Sequence, residues 1–254
     1  MSNSWIRLGV TALMALAIAG CGGGGGDDGP VVPPGPSVRD QINAAAAVPA
    51  NDSASNSSSA FTVVQGAGVT AVTVPAAASP TTAASLTKVN FSVFSDGKVV
   101  SGIPIGSVSF AIAKLVPGTN GNPDQWVNYI YRTESTATPP NNVGSGPNST
   151  PAMATATQAT TDGKMSTTTL ASLGLAAQMV YNPDGFYTYV FATDIRDPKK
   201  TNGVVFEPGK THRVAIQLRY RNAAGETILV NPYIEFTVDA DGKSVFVSDP
   251  SKTR

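Results

Sequence analysis

One cysteine and one histidine are all that 254 residues supply of those two types. A single cysteine closes no internal disulfide and cannot complete a four-ligand Cys/His zinc site. A c-type haem hangs on C-x-x-C-H, and that motif is absent. A conventional Ser-His-Asp site would have to use His212. Charge is also scarce: 17 basic and 17 acidic residues cancel, and charged residues make up 13% of the chain. No broad positive field exists to neutralise phosphates, so no nucleic-acid partner is expected. Aromatic residues are 7%, beside 25 glycines and 19 prolines. That balance fits a loop-rich β protein and not a helical bundle.

Long apolar runs are missing too. Leu8 to Gly20 is uncharged and mostly apolar, but its 13 residues fall short of the roughly 20 that span a bilayer core. With Arg7 as the sole charge before it, the run has the length of a signal-peptide hydrophobic region. It ends in Ile18-Ala19-Gly20-Cys21. This resembles the lipobox of bacterial lipoproteins, where cleavage before the cysteine leaves that residue lipidated. Residues 1–20 are expected to be a lipoprotein signal peptide, cut between Gly20 and Cys21. Gly22 follows, where an aspartate would resemble an inner-membrane retention signal, so the outer membrane is the expected destination. Two or three acyl chains hold a protein stably where one is marginal.

Residues 21–60 read as a lipid-anchored, Gly/Pro-rich tether with a short helix. Gly22 to Gly26 lacks the Lys-Ser/Thr and the preceding strand of a phosphate loop. A flexible linker is the better reading. Ser37 is placed to cap a helix from Val38 to about Val48, stopped by Pro49.

From Phe61 the pattern turns to period two. Phe61, Val63 and Gln65 alternate with Thr62 and Val64, and Val69 to Val74 is rich in β-branched residues. Strands are expected at Val89 to Val93, Val108 to Leu115, Trp126 to Arg132, Phe186 to Thr193, His212 to Tyr220, Thr227 to Val238 (broken at Asn231-Pro232) and Ser244 to Val247. Asp96-Gly97, Asn120-Gly121, Asp184-Gly185, Asn222 to Gly225 and Asp241-Gly242 supply turns. Thr168 to Val180 has helical spacing interrupted by Gly174. Residues 133–166 hold little that can form a core and are expected to be a long irregular loop. The fold class expected is all-β: an antiparallel Greek-key sandwich or split barrel of about eight strands over 61–254.

Candidate sites are few. His212 lies in register with the apolar face of its strand, where a histidine is usually packed. No G-x-S-x-G elbow occurs. Asp239-Ala240-Asp241-Gly242 resembles the start of a calcium loop but lacks the further ligands, so a hairpin turn explains it better. Asp194, Asp197 and Glu207 share a polar loop, and Lys199-Lys200 is too short for an anion patch. No catalytic or metal site is expected, and the chain does not read as an enzyme. A surface hydrolase using His212 as base is the weakest alternative.

Four stretches carry a resemblance: Phe110 to Tyr131 (F-A-I-A-K-L-V-P-G-T-N-G-N-P-D-Q-W-V-N-Y-I-Y), Val89 to Gly97 (V-N-F-S-V-F-S-D-G), Asp184 to Ile195 (D-G-F-Y-T-Y-V-F-A-T-D-I) and Thr211 to Gln217 (T-H-R-V-A-I-Q). With the lipobox and its glycines, the chain resembles the amino-terminal β domain of the outer-surface decahaem c-type cytochromes of metal-reducing bacteria, the OmcA/MtrC type. Members of that family alternate Greek-key or split-barrel β domains with domains that bind haem through C-x-x-C-H, and pass electrons to extracellular acceptors. The resemblance implies an anchor and scaffold in extracellular electron transfer. It implies no haem in this chain, c-type haems only in domains downstream of Arg254, and partnership with multihaem domains or an outer-membrane porin-cytochrome assembly. It implies the cell surface as location, with the periplasmic face as the other option. A truncated gene product fits that picture. The alternative is a stand-alone surface lipoprotein that binds a partner cytochrome, a mineral or another surface protein.

Overall fold

The computed structural model describes residues 35–56, 59–75, 85–135 and 155–247. The expected signal peptide, the Gly20-Cys21 junction, the glycine run and the centre of the 133–166 stretch lie outside the described residues. Helix α1 (Val38–Ala46) starts where Ser37 caps it, its hydroxyl accepting from the Asp40 amide. Ile42 and Ala46 on one face pack against Phe94. This helix is therefore part of the folded unit, which begins at Pro36.

Two antiparallel sheets face each other. The smaller contains β1 (Val72–Thr73), β2 (Lys88–Phe91), β9 (Met179–Asn182) and β10 (Phe186–Val190), in the order β1-β2-β10-β9. The larger contains β5 (Val108–Val116), β6 (Gln125–Asn128), β11 (His212–Arg221), β13 (Tyr233–Val238) and β14 (Ser244–Phe246), in the order β14-β13-β11-β5-β6, with β12 (Thr227–Val230) also pairing β11. Two hairpins stand apart: β3 (Phe94–Ser95) with β4 (Lys98–Val99), and β7 (Tyr131–Ser135) with β8 (Thr155–Ala159). A single bridge, Thr73 to Lys243, links the two sheets at one corner. No closed barrel forms, so the expected all-β architecture takes its sandwich form.

The alternation seen in the sequence builds the core. Phe91 from β2, Phe110 from β5, and Tyr187, Tyr189 and Phe191 at β10 meet between the sheets. Phe110 stacks on Tyr189 with ring centres 4.2 Å apart and meets Phe91 edge-on at 5.6 Å. Val214, Ile216, Leu218 and Tyr220 of β11 close the other side. Each such side chain contributes about 1.5–3 kcal/mol by leaving water.

Four expectations are corrected. Phe61 to Gln65 is not a strand: it lies in helix α2 (Ser59–Gly66). Ala60, Phe61, Val64 and Ala67 are buried, a helical spacing, and Gly68 (φ +79°) ends the turn. Packing against β2 outweighs the β-branched composition. Thr168 to Val180 is not one helix either. Helix α3 (Thr167–Ser172) stops because Gly174 turns left-handed (φ +67°) and the Leu175 amide returns to the Leu170 carbonyl at 2.9 Å. Val180 belongs to β9. The Trp126 to Arg132 strand divides into β6 and β7. The Asn128 side chain accepts from the Ile130 amide and donates to the Thr160 carbonyl, bending the chain between them. Finally, residues 133–166 are not irregular throughout: their ends form the β7–β8 hairpin, and Asp162 enters the core layer.

Candidate functional site

His212 opens β11 pointing inward, because odd and even residues of that strand alternate between solvent and core. It is fully buried among the rings of Tyr129, Phe206 and Phe236. Its Nε2 shares a 3.0 Å hydrogen bond with the Tyr129 hydroxyl. Its Nδ1 closes no hydrogen bond of good geometry and has only a weak polar contact with the Lys210 backbone. Burial pushes the imidazole pKa down to about 4, so the ring is neutral at physiological pH. Burial likewise raises the Tyr129 phenol above its usual range.

Three charged groups surround this ring stack. Lys114 is buried beside it and donates to the Val205 carbonyl at 2.7 Å and to the Glu207 carboxylate at 2.5 Å. That bond holds the Glu207 carboxyl below its ordinary value. The Arg196 guanidinium lies 4.5 Å from the centre of the Phe206 ring and donates to the Val74 carbonyl. The cluster ties β5, β11 and the 194–208 loop together. A base without access to water or substrate moves no proton for a reaction, so the arrangement is that of a packed, hydrogen-bonded histidine.

The other residues singled out by sequence are placed apart. Asp194 accepts from the Arg196 amide and Asp197 from the Lys199 amide, two local turns, while Glu207 turns to Lys114. Asp239 accepts from the Asp241 and Lys243 amides and shapes the β13–β14 hairpin. Among the described residues no group of three or more His, Cys, Asp or Glu side chains is placed to hold a metal ion.

Asp162 was not visible as a special residue in the sequence, since it lies in a stretch poor in core formers. In the structure its carboxylate accepts from the Tyr189 hydroxyl (2.8 Å), the Ala192 amide (2.7 Å), the Thr193 amide (3.0 Å) and the Thr193 hydroxyl (2.8 Å). Burial raises its pKa, against the downward pull of those donors. Its role is to fasten the segment following β8 to the end of β10.

The outer face of the larger sheet differs from that of the smaller one. On the smaller sheet Asn90, Thr188 and Asn182 form a polar ladder across three strands. On the larger, register places Ala111, Ala113 and Ala215 side by side. Arg213 crosses them between two aromatic rings, 4.1 Å from the centre of Trp126 and 4.6 Å from that of Tyr233, and pairs with Glu235. Further along β11 the same face carries Arg219 and Arg221.

No family model matches the chain, and no curated protein matches it. Among solved structures, the crystal structure of the outer membrane decaheme cytochrome OmcA is similar at 20% identity and a TM-score of 0.41, over 59% of this chain and 20% of that one. MtrC from Shewanella baltica OS185 is similar at 16% identity and a TM-score of 0.36, over 65% of this chain and 21% of that one. The chain spans about a fifth of the length of those structures.

Proposed function

We propose that the chain is the amino-terminal, non-haem β domain of an outer-membrane multihaem cytochrome lipoprotein of extracellular electron transfer, and that it serves as anchor and scaffold. One observation carries the reading. The four stretches on which the sequence resemblance rests are far apart in the chain yet form the centre of the sandwich. Val89 to Gly97 and Asp184 to Ile195 contain the paired strands β2 and β10. Phe110 to Tyr131 and Thr211 to Gln217 contain the paired strands β5 and β11. Their aromatic residues Phe91, Phe110, Tyr187, Tyr189 and Phe191 fill one cluster. What the resemblance preserves is therefore the packing of a rigid module, the property a scaffold needs.

The chain's own residues do not fit a covalently held haem. A c-type haem is attached through two cysteines, and the sequence has one, which the lipobox assigns to lipid. Electron carriers belong to C-x-x-C-H domains following this one, and the membrane partner is reached through Cys21. Sequencing the DNA beyond the Arg254 codon tests the reading: it should encode C-x-x-C-H repeats, in some frame or in the next gene. A downstream region without such repeats overturns it and leaves the stand-alone binding lipoprotein.

A further inference from the structure

We infer that the cavity between the 100–107 loop and the end of β11 is a binding site for a small organic anion, one bearing carboxylate or phosphate groups on an apolar body. The inference goes beyond the scaffold reading and does not depend on it. The cavity is an open cleft of about 580 Å³, a volume within the range of small-molecule sites. Arg219 and Arg221 contribute from β11, Thr227 from β12, and Ser101, Ile103 and Pro104 from the loop.

Three features identify the ligand. First, the charge in the cavity is unspent. The Arg219 guanidinium forms no hydrogen bond or ion pair among the described residues, and the one bond of the Arg221 guanidinium goes to the neutral Gly225 carbonyl at 2.8 Å. Neither touches a carboxylate, in contrast to Arg213 on the same strand, which is matched by Glu235. Two residues apart on a strand, their side chains leave the same face about 7 Å from each other. That spacing suits the two carboxylates of a diacid, or two edges of a phosphate ester, each met by a planar guanidinium fork. Second, hydroxyls accompany the charge: Ser101 and Ser107 on the loop side and Thr227, which pairs directly with Arg221 across the β11–β12 ladder. Third, the loop also brings apolar residues and is fixed in advance. The Tyr187 hydroxyl accepts from the Ile103 amide and donates to the Val100 carbonyl, both at 3.0 Å, and pins the loop to the core. Gly102 turns the chain there with a positive φ of 73°. The fixed loop with Val100, Ile103 and Pro104 suits a small hydrocarbon body and spares the ligand the cost of ordering the loop.

The test is calorimetric titration of the purified chain with phthalate, phenyl phosphate and inorganic phosphate, at low and physiological salt. Phthalate or phenyl phosphate should saturate at one equivalent and survive physiological salt, and inorganic phosphate should bind at least tenfold more weakly. Which of the first two is tighter separates a carboxylate ligand from a phosphorylated one. Arg219→Gln and Arg221→Gln should each weaken binding about tenfold or more, the loss that follows from removing a charge-assisted hydrogen bond. Arg132→Gln, on the exposed β7 strand, should leave it unchanged. Both cavity variants replace solvent-reaching side chains, and an unaltered melting temperature shows that they still fold. The inference is overturned if none of the probes binds. It is equally overturned if all three bind alike and are lost together on adding salt, or if the two cavity variants bind as the unaltered chain does.

Discussion

At the scale of single residues, His212 makes the molecule sensitive to acid. Its ordinary pKa is 6.5, and burial lowers it to about 4 in the folded chain. The folded state thus holds the neutral ring, while the unfolded chain takes up a proton as pH falls below 6.5. Stability from this residue is fully present above pH 6.5 and is lost as pH drops through about 4. A difference of that size corresponds to about 3 kcal/mol. Urea unfolding from pH 7 to pH 4 should show this decline, and His212→Gln should flatten it. A decline that persists unchanged in the variant would assign it to other groups, Glu207 first among them. The inward position of His212 was legible from the alternation of Val214, Ile216 and Leu218. Its partner Tyr129 was not, because it lies 83 residues away and nothing in local pattern reports such a contact. Asp162 was hidden more completely: a lone aspartate among Thr, Gly and Lys reads as loop. Asp162→Ala would leave the buried Tyr189 hydroxyl and three half-buried donors of residues 192–193 without this acceptor. The expected cost is about 3 kcal/mol or more, read as a fall in denaturation midpoint. A change below about 1 kcal/mol would mean that water replaces the carboxylate.

At the scale of elements, the strands that share a buried face were the easiest to read, since one face in the core enforces strict alternation. β5 and β11 follow the sequence pattern almost residue for residue, while β10 ends at Val190, three residues short of the expected Thr193. Errors came where a short apolar run admitted two periods. Phe61, Val63 and Gln65 suit a strand, and Phe61 with Val64 suits a helix. Only the surface available on β2 decides between them. The reverse occurred at α3, where apolar residues at helical spacing continued past a glycine that ends the helix. Gly174→Ala tests that account. A Cβ at φ +67° is strained whatever the free space around it, and the substitution should cost about 1 kcal/mol without lengthening the helix. Thermal melts measure the cost and circular dichroism the helix content. A stabilised variant with more helix would show that sequence preference, not the left-handed turn, sets the boundary. The β7–β8 hairpin escaped notice because its residues, Thr, Ala, Gln, Glu and Arg, offer no apolar face. It is held by backbone pairing and by contacts such as Thr133 with Thr157, which composition does not announce.

At the scale of the whole molecule, the single cysteine and the near-neutral charge bear on the proposed attachment to a membrane. Among the described residues no helix is long and apolar enough to cross one. With residues 1–20 removed as the lipobox predicts, 16 basic side chains would face 17 acidic ones, so the net charge offers no general attraction to anionic lipid. The folded unit carries its apolar residues mainly inward, and the exposed ones on the larger sheet (Leu229, Tyr233 and Val245) are scattered across three strands. On the proposed reading, attachment depends on acyl chains at Cys21, each buried methylene contributing about 0.8 kcal/mol. Two outcomes separate this from surface adhesion in fractionated cells. Washing membranes with concentrated salt should leave the unaltered protein in the pellet, because the Debye length shrinks to about 3 Å at 1 M without touching a hydrophobic anchor. Cys21→Ser should move it to the soluble fraction. Retention of the Cys21→Ser protein, combined with release of the unaltered protein by salt, would replace the lipid anchor with a charged partner.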